Sequence, residues 1–374
     1  MRFKDYKYNW KKTYIGNISK CNPKSEPLKE QFIYIDLESV NKGRLLKSKI
    51  LSRTNAPSRA QRVLHMNDIL FQSVRPYQKN NYLFRIADGN QYVASTGYIQ
   101  LRTNYNPLFI YQLLNTDRFI ASVMLRCTGT SYPAINSNDF STIPIYICKK
   151  EEQTKIANLL SKIDQRIDTQ IKIINDLKFL KEGISNLIFK IPVIENSNKT
   201  LQNFLIEGDK TPVDTKKYRK ITIKLNKQGI VYSDLTREMA DTRPFYLRHK
   251  GELIIGKQNY FNGSIAIVDS QFDSCICSNA IMSFKVKNID KNFLYYQISN
   301  NNYLNSQSYK ANGTGQKELS EKEFLKFKVW CPSNELQKLI VCSIKGVDEK
   351  MNNEIIILKK YIEQKEYLLN NLFI

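Results

Sequence analysis

Two stretches of this chain are versions of each other. GTSYPAINSNDFSTIPI begins at Gly129, and GTGQKELSEKEFLKFKV begins at Gly313, 184 positions later. That offset holds without a gap from Gly129–Phe189 onto Gly313–Phe373: Phe140 falls on Phe324, Glu151 on Glu335, Gln153 on Gln337, Asp164 on Asp348 and Phe189 on Phe373. Upstream, HMNDILF at His65 stands opposite HKGELII at His249, and FIYQLLN near Phe109 faces LYYQISN within one residue. A repeat of this period dictates the architecture, because each copy must be one folded unit of about half the chain.

The two copies share an internal plan. Short β-like runs such as DILFQSV and YIQLRT, broken by Asn, Gly and Pro turns, predict a mixed globule. The period then changes. Ile156, Leu160, Ile163, Ile167, Ile171 and Ile174 recur at steps of four and three, as do Ile340, Ile344, Val347, Met351, Ile355 and Leu358. That spacing puts each set on one helix face, extended through Leu177, Ile184 and Ile188 and through Tyr361, Leu368 and Leu372. Helices of roughly 35 to 38 residues follow, about 50 to 57 Å long. One stripe on so long a helix calls for a partner helix, and the other copy, reached by a returning chain, predicts antiparallel pairing. Arg166, Gln170, Lys350 and Glu354 interrupt the seam and are expected at solvated flanks.

The expected fold class is therefore α+β: two homologous mixed α/β domains separated by two long helices forming an antiparallel coiled coil, with a pseudo-twofold internal repeat. The domains expected are 1–148, a first spacer helix 149–190, 191–332, and a second spacer helix 333–374.

The chain's 374 residues carry 57 Lys and Arg against 35 Asp and Glu, a formal charge of +22 spread along its length, which points to a polyanionic partner. Seven cysteines without a CxxC pair, and only two histidines, argue against a disulfide framework and against zinc. No apolar run approaches the roughly 20 residues of a membrane span, and MRFKDYKYNWKK lacks a signal-peptide core, so a cytoplasmic protein without membrane contact is expected.

Catalytic readings find little support. His65 and His249 occupy equivalent repeat positions before apolar strands, where a turn role is expected rather than an asymmetric catalytic constellation. NPLF at Asn106 has Leu108 where a base-flipping loop of amino-methyltransferases carries a second Pro, and it is expected to start a helix with Pro at N1. GTGQK at Gly313 lacks the Lys-Ser/Thr pair of a phosphate loop. No cofactor and no metal are expected.

PSRAQRVLHMNDILFQSVRPY, VASTGYIQL, TGTSYPAIN and EEQTKIANLLSKID…LKEGISNLIF resemble the specificity subunit of type I restriction-modification systems. The second half resembles it again through GSIAIV, GTGQKELSEKEFLKFKVWCPSNELQKLI and QKEYLLNNLF, so the likeness spans essentially the whole chain. The family's PLPPLxEQ run is replaced by PIYICKKEEQ and VWCPSNELQ. The resemblance implies a non-catalytic subunit whose two globules are target-recognition domains, each reading half of a bipartite, asymmetric site in double-stranded DNA. It also implies two adenine methyltransferase (modification) subunits docked on the helices, joined by restriction/translocase subunits.

Loops flanking the repeated strands are the expected DNA contacts. In the first half these are Arg53, Arg59, Arg62, Arg75, Tyr77, Lys79, Thr130, Ser131 and Tyr132. In the second they are Arg237, Arg243, Lys257, Gln258, Asn259, Tyr260, Asn262, Thr314, Gln316 and Lys317. Arg suits guanine edges, Asn and Gln suit adenine, and Lys suits phosphate. Arg59 has a structural alternative as a partner of Asp68. Two rival classes remain, a self-sufficient DNA-modifying enzyme, which would need its own cofactor, and a coiled-coil scaffold that binds protein.

Overall fold

The computed structural model describes residues 6, 9–190, 199–233, 243–308 and 318–373. The chain divides into two compact units, one comprising Met1–Ile171 with Ile356–Ile374 and the other Lys172–Ile355.

The first unit contains two four-stranded sheets. One runs Lys49–Ser52, Gln31–Ile35, Tyr92–Ser95, Ala60–Val63, with its central pair parallel. The other is antiparallel and runs Ser19–Cys21, Tyr98–Thr103, Ile69–Gln72, Tyr82–Leu83. Ile35, Leu64, Leu70, Tyr92 and Tyr98 form an apolar cluster of buried residues drawn from both sheets. On its other face the second sheet is covered by helices Pro107–Leu114 and Asp117–Met124, where Phe71, Phe109, Phe119 and Phe140 are buried.

The second unit repeats the antiparallel sheet and its helix pair, while in place of the other four-stranded sheet it has two two-stranded ones, Ile221–Ile223 with Ile230–Tyr232 and Phe245–Arg248 with Cys275–Ser278. Its main antiparallel sheet runs Leu205–Glu207, Ile281–Val286, Leu253–Gly256, Ile265–Ile267, and helices Lys291–Ile298 and Asn301–Gln307 stand where the first unit has its pair. The helix starts follow the repeat. Asn106 and Asp290, Thr116 and Asn300, and Asn136 and Ser320 are N-caps whose side chains accept backbone N–H groups of the first turn. Each pair is 184 residues apart, and an N-cap satisfies donors that the helix itself cannot. Asn106 with Pro107 at N1 thus starts a helix, as expected from NPLF.

The long helices span Lys150–Lys190, 41 residues, and Asn334–Leu372, 39 residues. Both begin on a buried glutamine. Gln153 Nε2 donates to the Cys148 carbonyl, and Gln337 Nε2 donates to the Pro332 carbonyl, 2.8 and 2.9 Å. Their Oε1 atoms accept from the backbone N–H of the cap residues Asn106 and Asp290. This ties the start of each long helix to the preceding globule.

Within each unit the two helix segments run antiparallel. In the first, Lys365 Nζ lies 2.6 Å from Asp164 and Arg166 stacks over Tyr361, so rising numbers on one helix meet falling numbers on the other. In the second, Lys181 Nζ lies 2.6 Å from Asp348. Asp164 and Asp348, and Lys181 and Lys365, are repeat equivalents, so one ion pair is built twice. Leu369 and Leu372 are buried in the first unit's core, and Phe189 packs on Phe293 at 5.8 Å in the second. Each such fully buried side chain contributes about 1.5 to 3 kcal/mol. Lys181 and Asp348 are only partly shielded, so an alanine double-mutant cycle followed by chemical denaturation should return a coupling of about 0.3 to 1 kcal/mol.

Part of the expected seam is corrected. Arg166 and Lys350 are exposed as expected, whereas Gln170 and Glu354 are each only 6% exposed and Ile355 is 44% exposed. A straight helix drifts about 20° per heptad against a strict seven-residue repeat. Midway along so long a helix the inward position passes from Ile355 to Glu354.

Candidate nucleic-acid interface

In the first unit the expected loops converge on the turn at Thr96-Gly97. Ser73 donates through both N and Oγ to the Gly97 carbonyl at 3.0 and 2.7 Å, and Thr96 N donates to the Arg59 carbonyl at 2.9 Å. Ile135 N donates to the Ser73 carbonyl, which brings in the loop after Gly129. Arg75 takes a left-handed backbone, φ +54°, with its guanidinium 4.2 Å from the centre of the Tyr132 ring. Thr130, Ser131 and Tyr132 are exposed, as are Arg59 and Tyr77.

Arg62, in strand Ala60–Val63, is half-buried, its Nε has no hydrogen-bond partner among the described residues, and burial lowers the pKa of its guanidinium. Lys79 is held by Asp117, whose carboxyl it shares with the Asn370 amide. Lys79 first and Asn370 second lower the Asp117 pKa. Arg53 stands apart, in the turn after the edge strand Lys49–Ser52, at the opposite side of that sheet from Ala60–Val63. The alternative for Arg59 is corrected, because the partner of Asp68 is Arg102, through Nε and Nη2 at 2.8 and 2.7 Å.

The second unit builds the same junction. Lys257 N donates to the Ala280 carbonyl, and Leu319 N donates to the Lys257 carbonyl, the repeat counterpart of Ile135 on Ser73. Gln258, Asn259 and Asn262 are exposed on the turn closed by Gly263, φ +76°. Lys257 approaches Glu321 at 3.8 Å, and Arg243 is exposed. Tyr260 is corrected: it is fully buried, and its hydroxyl donates to the Ile298 carbonyl at 2.7 Å, so no edge remains for DNA. The aromatic ring that the turn supplies belongs to the core. Arg237, Thr314, Gln316 and Lys317 lie outside the described residues.

One residue escaped the sequence reading. Arg248, in strand Phe245–Arg248, is 2% exposed and lines an open groove of about 590 Å³. Its signal was the repeat itself, which aligns it with the apolar Leu64. His65 and His249 both precede strands, each near a carboxylate, Glu26 and Asp273 respectively. Among the described residues no group of three or more His, Cys, Asp or Glu could hold a metal, and no helix is long and apolar enough to cross a membrane. Among the described residues no disulfide joins any of the seven cysteines.

Residues 7–178 and again 190–360 match the Type I restriction modification DNA specificity domain. The chain is 23% identical over 398 aligned positions to the MjaVIII specificity subunit of Methanocaldococcus jannaschii, covering 96% of this chain and 89% of that one. It is 26% identical over 190 residues to the HindI specificity subunit of Haemophilus influenzae, a match spanning 49% of this chain and 40% of that relative. Two solved chains share the fold. One, from work on complex assembly and conformational transition of the type I R-M system, has TM-score 0.59 at 18% identity and 96% coverage of both chains. The other, the S subunit of a type I restriction-modification system from M. genitalium, has TM-score 0.57 at 17% identity, covering 100% of this chain and 99% of that one. The repeated globules, the antiparallel helix segments in each unit and the doubled domain match lead to one assignment: this chain belongs to the type I restriction-modification DNA specificity family and carries its domain twice.

Proposed function

We propose that the two heads, residues 1–148 and 191–332, each read one half of a bipartite, asymmetric DNA site, with the long helices at 149–190 and 333–374 as spacer and as docking surface for two adenine methyltransferase subunits. Restriction/translocase subunits complete the assembly. The chain itself carries out no chemistry and supplies the address.

One observation carries this reading. Each head holds the same loop junction with the same backbone hydrogen bonds, Ile135 to Ser73 and Leu319 to Lys257, yet presents different side chains there. Arg75 and Tyr132 occupy the first junction, and Lys257 and Gln258 the second. A shared frame with unlike readers suits one chain that recognises two different short sequences. If both heads address the same face of the duplex, their half-site centres fall about 34 Å apart, one helical turn.

Mapping adenine methylation in cells carrying the complete complex tests the proposal. The expected result is a gapped, non-palindromic motif modified in both halves. A continuous motif or a palindrome overturns it. S-adenosylmethionine should not bind the isolated chain in equilibrium dialysis, and saturable binding would favour a self-sufficient enzyme.

Single substitutions distinguish readers from anchors. Gln258→Ala should relax preference in one half-site, by about 1 to 3 kcal/mol at one base pair. Lys257→Ala should weaken all sequences evenly and reduce the salt dependence by about one counterion. Competition binding on half-site variants at several salt concentrations separates the two.

A further inference from the structure

We infer that Arg248 and the groove it lines form the second head's contact to a hydrogen-bond acceptor of the target DNA, an inference that rests on the two-headed reading above. The ligand chemistry is an acceptor for the N–H groups of Nη2, supplied either by the O6 or N7 edge of guanine or by a phosphate oxygen.

One substitution distinguishes the copies at this point. In the first head Leu64, between the end of strand Ala60–Val63 and the His65 turn, is buried in the core between the sheets, and the repeat puts Arg248 at that position. Both turns close with the same bond, Asp68 N to the His65 carbonyl and Glu252 N to the His249 carbonyl, which confirms the alignment. A cation stands where a leucine would pack, and burying a charge is costly unless something compensates it.

No carboxylate hydrogen-bonds or ion-pairs with Arg248 among the described residues, and Asp209, whose carboxyl is held mainly by Thr211, feels its charge only at longer range. Arg248 Nε donates to Cys277 Sγ at 3.1 Å, and Nη1 donates to the carbonyls of Asp209 and Leu247 at 2.9 and 3.1 Å. All three acceptors are neutral, and Nη2 makes no hydrogen bond to a described residue. The two lysines of the groove are in a different state. Lys210 is paired with Glu207 and Glu321, and Lys257 approaches Glu321. Of the groove's three described cations, Arg248 is therefore the one without an ion pair.

The space above it also arises by substitution. In the first head Asn22 and Gln100 occupy this place, bonded through Asn22 N to the Gln100 carbonyl and through Gln100 N to Asn22 Oδ1. In the second, the same backbone bond joins Gly208 N to the Ser283 carbonyl, so two amide side chains give way to a glycine and a serine. A Cβ on Gly208 would meet Ser283 Oγ at 2.9 Å, so the strands approach too closely there for a larger residue without a shift. The outcome is an open groove of about 590 Å³, within the usual range of ligand sites, with a buried guanidinium among its lining residues. Here a guanidinium stands two residues further along one strand face in the second head, at the position of Arg248 rather than that of Arg62.

The test uses the full complex, first confirming that wild type methylates a bipartite motif. If it does not, the two-headed reading fails and Arg248 is not at issue. If it does, Arg248→Gln, Arg248→Lys and Asn279→Glu are compared with wild type. Asn279 is exposed on the groove wall, so its variant adds a carboxylate without disturbing the core. A guanine contact predicts that Arg248→Gln loses about 5- to 150-fold discrimination at one base pair of the second half-site only, with the first half-site unchanged. A phosphate contact predicts an even loss across sequences with a shallower salt dependence, partly restored by lysine. In both cases Asn279→Glu weakens binding. If all three variants bind and discriminate like wild type, or if Arg248→Gln lowers only the melting temperature while Asn279→Glu has no effect, the contact does not exist and Arg248 is structural.

Discussion

Phe140→Ala is expected to lower the stability of the first unit by about 3 to 5 kcal/mol, the range for removing a fully buried aromatic ring. Phe140 is fully buried and lies 4.6 Å from Phe71 and 5.8 Å from Phe119, centroid to centroid. It sits on the five-residue helix Ser137–Ser141, too short to be stable without tertiary contacts, so its ring fastens that segment to the sheet. Immediately before it lie the Gly129 loop and Ile135, whose N–H closes the loop junction. Hydrogen exchange should show lost protection in strands Ile69–Gln72 and Tyr98–Thr103 before any loss in the second unit's sheet. Equal loss in both sheets would contradict the division into two cores.

Asp68→Ala should cost the same unit a comparable amount, about 3 to 5 kcal/mol, by a different route. The carboxylate is 1% exposed and accepts from His65 N, Gln100 Nε2 and two nitrogens of Arg102, all at 2.7 to 2.8 Å. Removing it leaves the His65 backbone donor and one N–H of the buried Gln100 amide, whose Nε2 still donates to the Val63 carbonyl, without an acceptor, and takes the ion-pair partner from the Arg102 guanidinium, whose pKa the Asp68 hydrogen bonds raise. Asp68→Asn keeps the size and one acceptor and should cost clearly less. Urea denaturation of both variants provides the comparison, and an Asp68→Ala cost below about 1 kcal/mol would show that water replaces the lost acceptor. In the second head Glu252 takes this place, accepting from Ser283 Oγ at 2.7 Å, while its Oε1 has no hydrogen-bond partner among the described residues. The two heads solve the same buried position with different networks.

The candidate site was partly legible. Turn residues around Arg75, Tyr132, Lys257 and Gln258 could be found because loops between repeated strands are defined by Gly, Pro and Asn punctuation. Tyr260 could not be sorted from its exposed neighbours, since a 3-10 turn points successive side chains in different directions and only the position of Ile298 shows which one enters the core. Lys79 reads as a free cation in sequence, yet Asp117, on a helix 38 residues further along, holds it. Arg248 was hidden for the opposite reason, because a lone arginine at the end of an apolar strand looks solvated until burial is known.

What the sequence determined by itself was the doubled plan: an offset of 184, matched turn and strand runs in each copy, a helix start at Asn106 and two long apolar stripes, all local or periodic features whose physics acts over a few residues. Only tertiary structure decided which members of those stripes are buried, which cations are already paired and where one head opens a groove that the other fills. These depend on contacts between residues distant in sequence, such as Gly208 with Ser283 or Lys365 with Asp164, and no periodicity along the chain encodes them.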